Sequence, residues 1–312
     1  MEEQKLDRLQ ELNGTQGYLP KERVTGWRVW LVSFAFAIFH YTVLNLAAII
    51  VACVMLIASS TDITDVGALE SLLVSSQLQN YASILMSLVC CPAYLIYLHL
   101  RGEKYKGRWG GQKLTLHSAA SAILAILGSL GLVSVLIIGL QMLSGRLTFV
   151  GDWLEAYDDL AQMIIADDGN IIVEFLGTVC FVPVAEELLF RGIILGELRL
   201  RYSDKTSVLI QAVLFGIFHM NPIQSLYTFI PGLVLGILYC RTNNIMLPIM
   251  GHMVFNFFGG LLYSLASETI LNVITMVEIF VAIYAIYLIV QFFFKANQET
   301  NQKDKSYSGI QL

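Results

Sequence analysis

Long apolar stretches separated by short polar ones dominate the pattern of this 312-residue chain. A helix needs about 20 apolar residues to cross the hydrocarbon core of a bilayer. Eight apolar segments can be drawn, covering residues 27–58, 81–100, 117–143, 171–195, 206–221, 223–240, 244–264 and 269–294. The pattern predicts an all-α polytopic membrane protein with about eight transmembrane helices. The fifth and sixth segments are short and separated only by Asn221-Pro222, which predicts a tight helical hairpin.

Composition and charge support this interpretation and add an orientation. Hydrophobic residues make up 56% of the chain and charged residues only 14%, which argues against an ordinary soluble domain. Basic residues cluster in every second loop, whereas the alternate loops are acidic with Arg146 as their one basic residue. The positive-inside rule then places both termini in the cytoplasm. We expect cytoplasmic tails at 1–26 and 295–312, one membrane domain at 27–294, and no nucleic-acid partner.

Two loops on the predicted outer side contain amphipathic stretches, at 66–78 and 153–164. Apolar residues recur there at helical spacing opposite polar ones. Such helices lie on the membrane surface or pack against the protein, and the sequence leaves both alternatives open.

The fourth segment contains three charged residues that are costly in hydrocarbon: Glu186, Glu187 and Arg191. A charge at the centre of a membrane helix costs at least about 2.5–3.5 kcal/mol, so such residues commonly mark a functional site. Glu187 and Arg191 are four residues apart and can neutralise each other on one helical face. Glu186 is rotated about 100° from its neighbour and is free to face a cavity. Pro183 removes a helical hydrogen bond just before the acids.

Two later segments contain the plausible partners of Glu186. The fifth segment ends with Phe215-x-x-x-His219, and the seventh contains His252-x-x-x-Asn256, whose spacing puts both polar residues on one face. Counted from the predicted cytoplasmic ends, these residues and Glu186 lie at similar depths. Helix packing can therefore bring them together near the cytoplasmic side.

This set of side chains suits the hydrolysis of an amide by water. A glutamate with a histidine can hold and deprotonate a water molecule, while a histidine and an asparagine amide can donate hydrogen bonds to an oxyanion. Glu186, His219 and His252 are alternatively a zinc-ligand set, although the HExxH pattern of soluble zinc proteases is absent. No serine or cysteine has a histidine close in sequence, which weakly disfavours a covalent nucleophile.

The three motifs resemble, in order, those of the CPBP family, which comprises CAAX-processing endopeptidases and Abi-type bacteriocin-immunity membrane proteins. The surroundings are similar too, from Pro231-Gly232 through Leu247-Pro248 to Gly251-His252, so the resemblance covers about 171–260. It implies an intramembrane endopeptidase that cleaves near the cytoplasmic membrane face.

By this resemblance Glu186 would be the general base and His219 would position the water. His252 and Asn256 would stabilise the oxyanion, and Glu187 with Arg191 would brace the site. The family has been described both as metalloproteases and as glutamate-dependent enzymes. We expect no metal here, because zinc ligation would use His252, which the resemblance makes an oxyanion donor.

The resemblance also implies a class of substrate and a location. We expect a peptide or protein substrate, such as a lipid-modified or bacteriocin-like peptide, and a multi-pass protein of a bacterial plasma membrane. Two other functions stay open: a non-catalytic immunity or peptide-binding protein, and a transporter, which the lack of internal repeat halves disfavours. His40 and Glu278 are polar membrane residues outside the motifs, and the sequence assigns them no role.

Overall fold

The computed structural model describes residues 25–59, 66–102, 113–165 and 170–295. These parts of the chain are helical and contain no strand. In chain order the helices are α1 (Gly26–Ser59), α2 (Val66–Val74), α3 (Ser76–Leu100), α4 (Leu116–Ser144), α5 (Thr148–Ile165), α6 (171–201), α7 (Asp204–Phe218), α8 (Pro222–Thr242), α9 (246–265) and α10 (268–295). The chain is an all-α polytopic membrane protein, as its pattern predicts.

Each of the eight apolar segments corresponds to one of these helices. Within the described residues, α1, α3, α4, α8 and α10 are long and apolar enough to cross a membrane on their own. Helix α6 contains the charged motif, α7 has 15 residues, and the apolar part of α9 is short. The full number of spans and the cytoplasmic position of the termini stay predictions. The two predicted tails lie almost wholly outside the described residues.

Helix α1 shows how the outer helices meet the lipid. Its buried residues form a narrow stripe along one face: Val29, Ser33, His40 and Ala47. The rest of its surface is apolar and exposed, with Ile38 and Ile57 among the most exposed side chains. An apolar surface of this extent is suited to contact with acyl chains rather than water. The stripe packs mainly on α3, which holds α1 at the edge of the bundle.

Small residues allow the closest approach in the bundle, between α4 and α10. A Cβ atom added at Gly128 would lie 2.6 Å from the Val281 carbonyl oxygen and 3.1 Å from the Cβ of Ala285. Ser121 and Tyr284 add a hydrogen bond between the same helices. Because lipid offers no hydrophobic driving force between helices, close packing of this kind supplies much of their attraction.

The fifth and sixth segments form the predicted tight hairpin, but α7 ends at Phe218, three residues before the predicted end at 221. His219 caps the helix, and Met220 turns the chain with a positive φ of 55°. Asn221 then caps α8 by accepting hydrogen bonds from the N–H groups of Ile223 and Gln224. The turn therefore places His219 at the mouth of the hairpin rather than inside a helix.

Two further boundaries differ from the predicted ones. Helix α3 begins at Ser76, five residues earlier than predicted, because the Ser75 side chain caps it by accepting from the N–H of Leu78. Helix α5 begins at Thr148 and packs against the protein, with Val150 and Leu154 buried beside Ile223. For this stretch the packing alternative is the observed one.

Candidate active site

Helix α6, which contains the acidic motif, is not a regular α-helix. Wider π-helical turns run from Phe175 to Phe181 and from Leu188 to Ile194, on either side of a short α-helical stretch, Val182–Glu187. Single π turns inside α-helices occur often at functional sites. The predicted disturbance at Pro183 thus takes the form of widened turns that flank both glutamates.

The hydrogen bonds around Pro183 account for the first widened turn. The N–H of Val182 bonds to the carbonyl of Gly177, five residues earlier, and Pro183 has no N–H to offer. Neither of these two backbone positions therefore supplies a donor to the carbonyl of Thr178. That carbonyl accepts instead from the side-chain amide of Asn256, at 2.8 Å.

Glu187 and Arg191 form a fully buried ion pair. Nη1 of Arg191 lies 2.6 Å from Oε1 of Glu187, as their i, i+4 spacing indicates. A second guanidinium nitrogen, Nη2, donates to the carbonyl of Gly232 in α8 at 3.2 Å. The guanidinium carbon also lies 4.7 Å from the centre of the Phe215 ring, within the range of a cation–π contact. The pair therefore joins α6 to α7 and α8.

His252 connects the third motif to this pair. Its Nδ1 lies 2.8 Å from Oε1 of Glu187. An ionised carboxylate only accepts hydrogen bonds, so Nδ1 carries the proton and donates. The other ring nitrogen, Nε2, lies 3.8 Å from Oε2 of Glu186, beyond the length of a direct hydrogen bond. A water molecule beside these two atoms, about 2.8 Å from each, would fit this separation.

The two adjacent glutamates therefore have different surroundings. The side chain of Glu187 is 0% exposed and is held by Arg191 and His252. That of Glu186 is 12% exposed, and among the motif residues its close polar neighbour is Nε2 of His252. Glu186 thus points into a space that Glu187 does not enter.

His219 reaches the site through a shared aromatic ring. Its Nδ1 donates to the carbonyl of Phe215 at 2.9 Å, which leaves Nε2 as an acceptor on the neutral ring. Within the described residues, no hydrogen bond or ion pair joins His219 to Glu186. The ring of Phe215 lies between the two histidines, with centroid distances of 5.1 Å to His219 and 5.7 Å to His252.

Asn256 belongs to a chain of polar side chains that reaches α3. Its amide donates to the Thr178 carbonyl, and the hydroxyl of Thr178 donates in turn to Oδ1 of Asn80 at 2.9 Å. An amide nitrogen carries two protons, so one N–H of Asn256 is left beyond the bond to Thr178. Asn256 thus supplies the hydrogen bond that the Thr178 carbonyl lacks within α6, and it keeps one amide N–H for another acceptor.

The arrangement also bears on the zinc alternative. Both histidines have Nδ1 held by an acceptor and Nε2 available, a pattern that suits metal ligation. However, no three His, Cys, Asp or Glu side chains in residues 25–59, 66–102, 113–165 and 170–295 converge as a ligand set. Glu186 and His252 approach each other here, whereas His219 does not join them.

An apolar cavity of about 370 Å³ opens beside the site, between α3 and α6. Val184, two residues before Glu186, and Met253, next to His252, form part of its wall. Pro92 and Cys91 of α3 line the opposite side, and Ser87 adds a buried hydroxyl with no partner among the described residues. The cavity thus offers an apolar space within the membrane layer, adjacent to the polar residues.

Sequence reasoning named the six motif residues but missed the supporting roles of three others. Gly232 supplies a carbonyl to Arg191, Thr178 supplies one to Asn256, and Phe215 contacts both histidines. Two of these had a signal in the sequence: Thr178 lies five residues before a proline, and Phe215 lies four residues before His219. The contacts of Gly232 with Arg191 and of Phe215 with His252 cross between helices, so no spacing in the sequence indicates them.

Comparison with known proteins shows which family this part of the chain is similar to. Residues 168–258 match the family described as type II CAAX prenyl endopeptidase Rce1-like. We call these residues the Rce1-like region. The match confirms the resemblance drawn from the motifs over about 171–260, and it includes all six motif residues.

One curated protein to which this chain is similar is named "Putative membrane peptidase YdiL", from Bacillus subtilis (strain 168). It is 37% identical over 76 residues, which is 24% of this chain and 31% of the relative. The similarity thus spans about a third of the relative's length. No solved structure matches the chain.

Proposed function

We propose that this chain is an intramembrane endopeptidase in which Glu186 activates the water that hydrolyses a peptide bond. The observation that carries the proposal is the division between the two glutamates. Glu187 is enclosed and neutralised by Arg191, whereas Glu186 faces Nε2 of His252 across 3.8 Å. A carboxylate without a fixed partner, placed in a poorly solvated site, suits general-base catalysis. The match of residues 168–258 to the Rce1-like family supports the same reaction.

The proposed reaction begins with a water molecule held by Glu186. As the water oxygen attacks the carbonyl carbon, its proton passes to Glu186, and the carbonyl π electrons move to oxygen as an oxyanion. Collapse of this intermediate breaks the C–N bond, and the leaving nitrogen takes the proton from Glu186. The products are a carboxylic acid and an amine, with Glu186 returned to its starting state; the acid then passes its proton to the amine, which gives a carboxylate and an ammonium ion. His219 is the proposed positioning residue for the water.

Two donors are proposed for the oxyanion, with one condition each. Nδ1 of His252 is engaged by Glu187, so Nε2 donates only from a doubly protonated ring. Asn256 donates with the amide N–H that its bond to Thr178 leaves over. Preorganised donors of this kind typically change rates by about 10²–10³ each.

The cavity beside the site favours a substrate with an apolar part. Its walls between α3 and α6 are almost entirely apolar and extend to Met253, next to His252. An apolar helix or a lipid chain entering this space would place the neighbouring peptide bond near Glu186. We therefore propose a lipid-modified or bacteriocin-like peptide as substrate, cleaved near the cytoplasmic face of a bacterial plasma membrane.

The decisive experiment is cleavage by purified protein in detergent micelles. The probes are a farnesylated CAAX peptide with a fluorophore and quencher, and the same peptide without the lipid. We expect cleavage of the farnesylated peptide by the wild type, and at least a 10³-fold loss in Glu186→Gln, since an amide cannot accept the water proton. The matched control is Glu155→Gln, an exposed acid on α5, which should cleave at the wild-type rate. Full activity of Glu186→Gln would contradict the general-base assignment.

The same variant separates the alternative functions. A non-catalytic immunity or peptide-binding protein would bind the farnesylated peptide with and without the substitution and cleave it in neither case. We also propose that the reaction needs no metal. Stoichiometric zinc in the active protein, with activity lost on chelation and restored by zinc, would overturn that part and favour Glu186, His219 and His252 as ligands.

A further inference from the structure

Beside the site, two buried polar residues form a hydrogen bond with each other. Both lie outside the Rce1-like region. His40 of α1 and Tyr94 of α3 are almost fully buried, and Nδ1 of His40 lies 3.0 Å from the Tyr94 hydroxyl. Their rings are nearly parallel, with an interplanar angle of 11°. Apolar residues would pack between two membrane helices without the desolvation cost of a polar pair. A buried polar pair at this place therefore points to a role beyond packing.

The pair contacts the segment that positions His219. The His40 ring packs edge-on against Phe218, with a centroid distance of 5.1 Å. Phe218 directly precedes His219 and also packs edge-on against Phe190, at 5.0 Å. Phe190 lies one helical turn after Glu186, on the same face of α6. His40 therefore packs against Phe218, the residue next to His219. Through Phe218 and Phe190 it also supports α6, the helix that contains Glu186.

The pair also lies within the electrostatic range of Glu186. The charge of Glu186 acts on His40, on Tyr94 and on Tyr41, the neighbour of His40 on α1, although burial has the larger effect on each of them. Glu187 already compensates Arg191, so the charge of Glu186 is the one left to be stabilised in this part of the membrane layer. Oriented dipoles stabilise such a charge when they are held still before the reaction.

We propose that His40 and Tyr94 are a positioning pair for Glu186 and His219. This inference rests on the proposed peptidase function and extends its machinery to α1 and α3, which lie outside the matched family region. The hydrogen bond between the two residues fixes the direction of the Tyr94 hydroxyl dipole relative to Glu186. The same bond fixes the His40 ring against Phe218, and so the position of His219. Neither residue exchanges protons with the substrate.

The test uses two substitutions that keep the rings and remove the hydrogen bond, His40→Phe and Tyr94→Phe. Each should lower kcat for the farnesylated peptide by about tenfold, since one hydrogen bond of ordinary net strength corresponds to about a factor of ten in rate. KM should stay within twofold, because neither residue lines the apolar cavity. The double variant should lose no more than Tyr94→Phe alone, because both substitutions remove the same bond and Tyr94→Phe also removes the contact of its hydroxyl with the Cys90 thiol.

Two further variants separate positioning from stability. His40→Asn retains a polar nitrogen near the place of Nδ1 and should recover most of the lost rate in spite of its smaller side chain. Ser33→Ala is the matched control: Ser33 is buried two turns earlier on the same face of α1 and bonds only to the carbonyl of Val29. It should leave kcat unchanged.

The outcomes are distinguishable from failure of the proposed function. If the wild type does not cleave, or Glu186→Gln does, the peptidase proposal itself fails. If the wild type cleaves and Tyr94→Phe retains its full kcat, only the positioning pair is overturned. Independent, multiplying losses in the double variant, or a rise in KM at constant kcat, would overturn it as well.

Discussion

Glu187 accepts two hydrogen bonds at a single oxygen, one from Arg191 of its own helix and one from Nδ1 of His252 in α9. This shared atom ties the acidic motif to the last motif and fixes which nitrogen of His252 faces Glu186. The two glutamates thus have different surroundings, because only Glu187 is engaged by both Arg191 and His252.

Loss of one partner of the buried ion pair should strongly destabilise the protein. Glu187→Leu leaves the guanidinium of Arg191 buried without a counter-charge, and we expect a loss of about 3–5 kcal/mol in the free energy of unfolding. The double variant Glu187→Leu with Arg191→Leu should lose less than Glu187→Leu alone, because no buried charge is left. Denaturant unfolding in detergent micelles measures both. A double variant that is less stable than the single one would contradict this account.

The hydrogen bond between Asn256 and the Thr178 carbonyl should contribute less to the stability of the protein when Pro183 is replaced. Asn256→Ala leaves the Thr178 carbonyl without a donor, at a cost of about 1–3 kcal/mol. Pro183→Ala restores a peptide N–H to α6, which can reach that carbonyl. We therefore expect Asn256→Ala to cost less stability in the Pro183→Ala background, measured as a double-mutant cycle by thermal unfolding. Equal costs in both backgrounds would disprove the link.

Replacing the ring of Phe215 should impair catalysis more than it impairs folding. Phe215→Leu removes the cation–π contact with Arg191 and the edge contacts with both histidines. We expect at least a tenfold loss of kcat and a stability loss of about 1–2 kcal/mol. Phe255→Leu is the control, because Phe255 is buried in the apolar cluster between α4, α8 and α10. It should show a similar stability loss with kcat unchanged.

The close contact of α4 with α10 should not tolerate a methyl group. Gly128→Ala would push its Cβ against the Val281 backbone, and overpacking of this kind costs about 1–3 kcal/mol. Gly139→Ala on the same helix meets nothing within 4 Å and should be neutral. Thermal unfolding of the two purified variants in one detergent tests the difference. Similar midpoints for both would show that the helices can separate at Gly128 without loss.

The helices and the pairing of Glu187 with Arg191 could be predicted because their signals are local. Apolar length marks the helices, and the i, i+4 spacing indicates the ion pair between Glu187 and Arg191. The roles of individual atoms could not be predicted in this way. That Nδ1 of His252 binds Glu187, or that Asn256 binds a backbone carbonyl, depends on how α6 and α9 pack.

The predicted end of α7 was wrong for a related reason. Apolar residues lie on both sides of His219 and Asn221, so a hydropathy average extends the segment to 221. The chain turns earlier because Asn221 caps α8 and Pro222 suits a first helical turn, which leaves His219 outside the helix. The cap residues were readable in the sequence, but a hydropathy window averages over them.

Because of the widened turns of α6, the orientation of its side chains depends on the exact number of residues in the helix. A π turn holds one residue more than the α turn it replaces, so Phe175–Phe181 and Leu188–Ile194 each contain a surplus residue. Deleting a single residue from the first of these runs would restore ordinary winding. It would also rotate everything before it by about 100° relative to Glu186. Thr178 would then turn away from Asn256, and the wall of the apolar cavity would no longer adjoin the carboxylate. The helix thus tolerates changes of side chain more readily than changes of residue count.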